Sequence, residues 1–290
     1  MSWRTVVITQ RAKLDFKLGY MVIRTDEIKK VHLSEINILI VESTAVSITG
    51  VLLTELTKRK IKVIFCDEKR NPSSTLLPFY GSHDTSGKVR EQIAWRHEIK
   101  ELVWTEIISE KLRKQAEFLK EIGDETYNTI LGYVEQMHHY DATNREGHAA
   151  KVYFNSLFGA GFTRTADLPI NAALNYGYGI ILSAFSRVIV SNGYITQLGL
   201  FHKNLYNDFN FASDLMEPFR VLVDRAVYDI MPQKFEHEEK IDILKVLNKY
   251  VIIDDKKQYV SNAISIYCKS IFEALNGNDI DLIRFYRNEL

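Results

Sequence analysis

Residues 36–67 read INILIVESTAVSITGVLLTELTKRKIKVIFCD. Two apolar runs rich in β-branched residues, Ile36–Ser43 and Ile61–Asp67, flank a stretch that places Val46, Gly50, Leu53 and Leu56 near a helical spacing. That pattern predicts strand, then helix over 44–60, then strand. INILIV is almost continuously apolar, as a strand covered on both faces would be. Upstream, Trp3–Thr9, Lys13–Gly19 and Tyr20–Thr25 are short and β-prone. Downstream, Asn71-Pro72-Ser73-Ser74 and Gly81-Ser82-His83-Asp84 carry turn chemistry. The expectation is a β-rich, sandwich-like domain with one helix over residues 1–75, and a linker over 76–86.

After Ser86 the pattern turns helical. Lys88–Ile122 reads as one long or two consecutive amphipathic helices. Further helices are expected at Glu125–His138, Asn144–Phe158, Leu168–Val190, Ser213–Met231, Lys240–Leu247, Ser261–Leu275 and Asp279–Asn288. Val251–Val260 (VIIDDKKQYV) reads as a small hairpin. The fold class is therefore α+β, with a larger all-α domain over 87–290 following the β-domain.

Composition excludes several classes. Hydrophobic residues make up 46% of the 290, and Gly (14) and Pro (5) are sparse, so the chain is neither disordered nor low-complexity. Cys66 and Cys268 form no disulfide framework and no CxxC zinc site, which suits a reducing compartment. The start lacks the h-region of a signal peptide, and the apolar stretch Tyr176–Tyr194 reads as too short and too polar to span a membrane. A cytoplasmic protein with no membrane partner is expected. Net charge is zero, but residues 1–80 carry 13 basic and 8 acidic side chains and the remainder reverses the balance. A nucleic-acid partner would have to use a local basic surface.

Phosphate-binding loops and nucleophile elbows are missing from the sequence. Three segments hold residues of chemical interest. In ATNREGHAAKVYF (142–154), Glu146 lies in a helical first turn; Thr143 and Glu146 also have the spacing of a capping box. In QLGLFHKNLYNDFN (197–210), His202 sits in a polar connection. In FASDLMEPFRVLVDR (211–225), Asp214 and Glu217 stand three apart, on one helical face, where their repulsion favours a cation between them. First-turn acids also complement a helix dipole. Two or three carboxylates and one imidazole suit Mg²⁺ or Mn²⁺. His138–Asp141 (HHYD) is a weaker metal candidate, because adjacent histidines diverge on a helix. Arg145, Lys151, Lys203 and Arg220 flank the acids and the histidine and are candidate phosphate contacts, or partners of the carboxylates. Asn171, Asn175, Tyr176 and Tyr178 form a polar, aromatic stretch that would line the site or stack on a base, or else pack in the core.

The combination resembles the CRISPR-associated integrase, the spacer-acquisition nuclease, over essentially the whole chain. The resemblance is carried by WRTVVIT, by VSITGVLLTEL followed by IKVIFCD, by SEKLRKQ (109–115), REGHAAKVYF and LPINAALNYGYGI, and by His202 followed fifteen residues later by Glu217 in SDLMEPFR. The compact length and the opening look like the type II version, II-A-like. The resemblance implies dimerisation through the β-domains and a helical catalytic domain. It implies a small ferredoxin-like adaptation subunit in a 4:2 complex, and contacts with the effector nuclease and a ring-shaped accessory adaptation protein. The DNA partners it implies are a duplex prespacer with 3′-hydroxyl ends and the CRISPR leader–repeat. The prespacer ends would be joined to the leader-proximal repeat by metal-dependent transesterification. On this resemblance Glu146, His202 and Glu217 are the metal ligands, and Asp214 is the motif's additional acid, with Glu217 standing where the family often has Asp.

Overall fold

The computed structural model describes residues 4–68, 70–76, 82–141 and 143–288, without the side chain of His139. Trp3 of the expected first strand and residues 77–81 of the expected linker lie outside the described residues. The chain divides into two compact units, Met1–Thr85 with Val190–Gly193, and Ser86–Ile189 with Tyr194–Leu290.

In the first unit, β1 (Arg4–Ile8), β2 (Ala12–Lys17), β3 (Tyr20–Arg24), β4 (Ile28–His32), β5 (Ile36–Val41) and β6 (Val46–Ile48) precede one helix, α1 (Gly50–Lys58). β7 (Lys62–Cys66) and β8 (Pro72–Leu76) follow it. One sheet has the order β1-β5-β7-β8 and the other β4-β3-β2-β6. β5 runs parallel to both of its neighbours and all six of its residues are buried, which accounts for its unbroken apolar sequence. The core draws Leu14, Met21 and Ile23 from one sheet, Ile36, Leu39 and Val63 from the other, and Leu52 and Leu56 from α1. Leu18 and Gly19 both adopt positive φ (50° and 83°), the two-residue turn whose twist matches the β2–β3 hairpin.

Three local expectations need correction. The helix expected from residue 44 begins at Gly50, because Val46–Ile48 pairs parallel with Ala12–Leu14 as an edge strand, and the Thr49 side chain then caps α1. The Asn71–Ser74 turn is instead the entry to β8. Proline is tolerated at the start of an edge strand, and Thr75 Oγ1 donates to the Val63 carbonyl at 2.7 Å. β4 was not foreseen; its sequence IKKVH carries the lysines common on exposed edges.

The second unit contains α2 (Thr85–Ala94), α3 (His97–Glu121), α4 (Tyr127–Glu135), α5 (Arg145–Phe158), α6 (Pro169–Ser191), α7 (Asn210–Leu215), α8 (Arg220–Ile230) and α9 (His237–Leu244). β9 (Tyr250–Ile253), β10 (Lys256–Tyr259), α10 (Val260–Gly277) and β11 (Arg287–Asn288) complete it. Lys88–Ile122 is thus two helices. The single helix expected over 213–231 is broken into α7, a 3-10 turn Glu217–Phe219, and α8. Pro218 lacks the amide that a continuous helix would need at that place. The last expected helix, over 279–288, is a 3-10 turn at Ile280–Leu282 and then β11, so the unit is not purely helical: β11 and β10 flank β9. Asp254 and Asp255 form the hairpin turn, both at φ 55°. α6 is long and apolar enough to cross a membrane by length and composition, unlike the expectation for 176–194. However, 61% of its most apolar window is buried within the structure, as in a core helix.

Candidate metal and nucleic-acid site in the helical unit

α3 is buried far round its circumference, and in its middle it buries charge: Glu110, Lys111 and Lys114 are all under 10% exposed. Buried charges need partners. Lys114 bridges Glu110 and Glu117 and lies over the Tyr286 ring. Lys111 Nζ donates to Glu146 Oε1 and to Glu217 Oε2, each at 2.6 Å. Burial works against the Lys111 ammonium, but the two carboxylates hold its pKa above the ordinary value.

Glu146 is placed by the start of α5. The expected Thr143–Glu146 capping box does not form; Asp141, from the HHYD run, accepts from the backbone amides of Arg145 (2.7 Å) and Glu146 (3.1 Å). Tyr140, Asp141 and Asn144 all take positive φ to turn the chain into the helix. Capping therefore falls to Asp141, and the Glu146 carboxylate is free to meet Lys111.

Glu217 is placed by the Pro218 turn. Tyr286 braces that turn, its hydroxyl donating to the Pro218 carbonyl at 3.1 Å and its ring packing 4.7 Å from Phe219. Glu217 Oε1 accepts from Arg220 Nε at 2.9 Å. Burial pushes the Glu217 carboxyl up, and Arg220 and Lys111 overcome it and draw it down to about 2. Arg220 stacks over Tyr178 at 4.7 Å, and Arg164 covers the same ring at 5.4 Å. The Tyr178 hydroxyl donates to Asp224, which also accepts from Tyr153.

His202 is placed by Asp214. That carboxylate, fully buried, accepts from the backbone amides of Leu200 (2.5 Å), Phe201 (3.1 Å) and His202 (3.2 Å), and lies 2.5 Å from His202 Nδ1. Asp214 and Glu217 therefore do not hold a cation between them, as their spacing suggested. The break at Pro218 aims Asp214 at the 199–202 loop, and the carboxylates that converge are Glu146 and Glu217. The Asp214 hydrogen bond raises the His202 pKa against burial, with the charges of Asp214, Glu217 and Glu146 adding to it. Nε2 is the ring nitrogen that remains for a ligand.

The other sequence candidates separate. Lys151 and Lys203 are exposed. The Arg145 guanidinium lies over Tyr133 at 5.7 Å. Asn171 is buried, accepting from Arg164 and donating to the carbonyls of Thr163 and Ala166; Asn175 is exposed and accepts from Arg164. Tyr176 and Tyr178 are 2% and 9% exposed, so they pack in the unit and offer no face to a base. Beside His202 lies a cleft of about 630 Å³, lined by Trp95, Lys100, Lys203, Gln197, Asn204 and their neighbours. Burial and Lys203 together lower the Lys100 pKa.

Sequence reasoning missed Lys111, Arg164 and Asp224 as parts of this site, and took Asp141 as part of a weak metal candidate where it caps α5. The signal for Lys111 was a dense charge cluster, SEKLRK, inside an otherwise core-forming helix.

A model of the family described as CRISPR associated protein Cas1 matches residues 5–258. The chain belongs to the Cas1 family. It is 32% identical over 235 residues to the CRISPR-associated endonuclease Cas1 of Neisseria meningitidis serogroup C (strain 8013), covering 80% of this chain and 77% of that one. Among solved structures, a casposase bound to integration product superposes with a TM-score of 0.78 at 19% identity, covering 97% and 92%. A Cas6-RT-Cas1–Cas2 complex gives 0.74 at 17% identity, covering 97% of this chain and 36% of that one, so this chain spans about a third of the matched chain's length. At these identities the structural likeness establishes the Cas1 fold.

Among the described residues, no three His, Cys, Asp or Glu side chains stand together in ligating range. The donor set nevertheless fits a hard divalent cation. Glu146 and Glu217 already converge on one cationic point, and His202 is held by Nδ1 with Nε2 left over.

Proposed function

We propose that this Cas1 protein is a metal-dependent DNA integrase and endonuclease that inserts short duplexes with 3′-hydroxyl ends into a CRISPR array at the leader-proximal repeat. The observation that carries this reading is the convergence of Glu146 and Glu217, from different segments, on a single cation at 2.6 Å each. Glu146, Glu217 and His202 Nε2 would hold Mg²⁺ or Mn²⁺. Such an ion supplies charge stabilisation at a phosphodiester and lowers the pKa of an attacking hydroxyl. Asp214 orients the imidazole. Arg220 stays beside Glu217 as a cation near the phosphate, and Lys100 and Lys203 attract the backbone of the strand entering the cleft. The casposase likeness and the endonuclease names of the relatives support DNA strand chemistry. The Cas1–Cas2 complex supports assembly with a small partner subunit. We further propose the type II form, homodimerisation through the β-rich unit, and action in the cytoplasm.

The test is a strand-transfer assay. The protein and its small partner subunit are mixed with a labelled duplex and a supercoiled plasmid carrying the leader and repeat. Label entering the plasmid with Mn²⁺ or Mg²⁺, lost with EDTA and in His202→Ala and Glu217→Ala, is the expected result. Metal-dependent nicking without label transfer would make the protein a nuclease of branched DNA. Unchanged activity of the complex with His202→Ala would reduce this chain to a scaffold.

A further inference from the structure

Neither oxygen of Glu217 is idle. Oε2 accepts from Lys111 at 2.6 Å and Oε1 from Arg220 at 2.9 Å. Glu146 Oε1 accepts from the same Lys111 ammonium. The two cations are held differently. Arg220 is locked at i+3 from Glu217 and stacked on Tyr178, whose hydroxyl is itself tied to Asp224. Among the described residues, Lys111 makes polar contacts with the two glutamates alone, through a flexible four-carbon stem. Its ammonium fills the point that both carboxylates reach.

A divalent ion that takes one oxygen from each glutamate needs that same point. With both side-chain cations retained, the ion would bring the local total to four positive charges against two carboxylates. Like charges a few ångströms apart in a buried site repel strongly. Withdrawal of Lys111 relieves this, and the geometry favours Lys111 over Arg220 as the group that leaves. We infer that Lys111 is a built-in competitor for the metal: a positioning residue that holds Glu146 and Glu217 together at ligating separation and is expelled when the metal enters. Metal affinity is then set partly by the cost of that expulsion. The withdrawn ammonium carries its positive charge to the edge of the site, where a DNA phosphate neutralises it. This inference rests on the metal-dependent reading proposed above.

The test measures Mn²⁺ binding directly, by titration calorimetry, without DNA or turnover. Wild type, Lys111→Met and Glu146→Gln are compared. Methionine keeps the length and apolar stem of lysine and removes the charge. Lys111→Met should bind Mn²⁺ at least tenfold more tightly than wild type, and Glu146→Gln more weakly. A lysine that merely supported the fold would shift affinity the other way, so equal or weaker binding by Lys111→Met overturns the inference. Because that variant leaves two glutamates without their shared cation, a second measurement uses the wild-type fold. The slowly exchanging ¹⁵N ammonium signal of Lys111, assigned by its loss in Lys111→Arg, is followed during Mg²⁺ titration. It should lose its salt-bridged shift and exchange faster as Mg²⁺ saturates; persistence to saturation overturns the inference. Absence of Mn²⁺ binding by wild type and Lys111→Met alike would sink the metal-dependent reading itself, and this inference with it. Binding by both with equal affinity would leave that reading standing and remove only the competitor.

Discussion

Asp214 Oδ1 lies 2.5 Å from His202 Nδ1, and the same carboxylate accepts three backbone amides from the 200–202 loop. One buried acid thus fixes both the path of the loop and the nitrogen of the imidazole that remains for chemistry. On the metal-dependent reading proposed above, the second role is that of a carboxylate that orients a histidine toward its metal.

The two residues should therefore fail differently. Asp214→Ala strands three buried amides, at roughly 1–3 kcal/mol each, so thermal unfolding should show a loss of several kcal/mol. His202→Ala removes a side chain that is 39% exposed and should cost about 1 kcal/mol while abolishing strand transfer. Comparable destabilisation by both would contradict the division of roles.

Gly199 faces the same carboxylate. A β-carbon there would stand 2.5 Å from the His202 carbonyl oxygen and 2.6 Å from Asp214 Oδ2. Gly199→Ala should lower stability by about 1–3 kcal/mol and impair activity beyond what that loss explains, because the clash falls on the group that orients His202. Full activity at a temperature where the variant is folded would refute this.

Asp141 should act on Glu146 through the helix start. Removing its two amide contacts in Asp141→Ala should cost about 1–2 kcal/mol, the range for a lost helix cap, and weaken Mn²⁺ binding. Asp141→Asn, which keeps an acceptor, should recover most of both. If asparagine recovers neither, the cap is not what positions Glu146.

Asp224 gives the pH prediction. Burial raises its carboxyl to about 6, with the Tyr178 and Tyr153 hydroxyls, Arg220 and Lys111 pulling the other way. A folded-state pKa above the unfolded value means the folded protein binds the proton more tightly. This group therefore favours folding as pH falls from 6 toward 4 and opposes it above 6, by roughly 3 kcal/mol when fully ionised. The stability of Asp224→Asn relative to wild type should grow by that order between pH 4 and pH 7.5 in denaturant melts. A pH-independent difference would show that the buried network solvates the carboxylate fully.

Much of the fold was legible because it rests on periodicity. INILIV announced a buried strand, and VIIDDKKQYV announced its hairpin. The failures are local and physical. Val46–Ile48 has the β-branched composition of an edge strand but abuts a helical pattern, and Pro218 breaks a helix whose apolar spacing runs straight through it. That break separates the aims of Asp214 and Glu217, which sequence spacing alone put side by side. The site was legible as residue types and order, but not as pairings. Nothing in sequence spacing joins Lys111 to Glu146 across 35 residues and to Glu217 across 106, because such pairs are created by helix packing. The sequence left Tyr176 and Tyr178 open between DNA and core for the same reason: a polar tip on an apolar helix looks alike whether it meets DNA or, as for Tyr178, a buried Asp224.

The central claim is that these residues join a 3′-hydroxyl end to target DNA rather than hydrolyse it. The most direct measurement compares two labelled donor duplexes, one ending in 3′-hydroxyls and one in 3′-deoxy ends, with the protein, its partner subunit, Mn²⁺ and the leader–repeat plasmid. Label covalently attached to plasmid from the 3′-hydroxyl donor and not from the blocked donor is the predicted result. Equal plasmid cleavage with both donors, and label joined from neither, would contradict it.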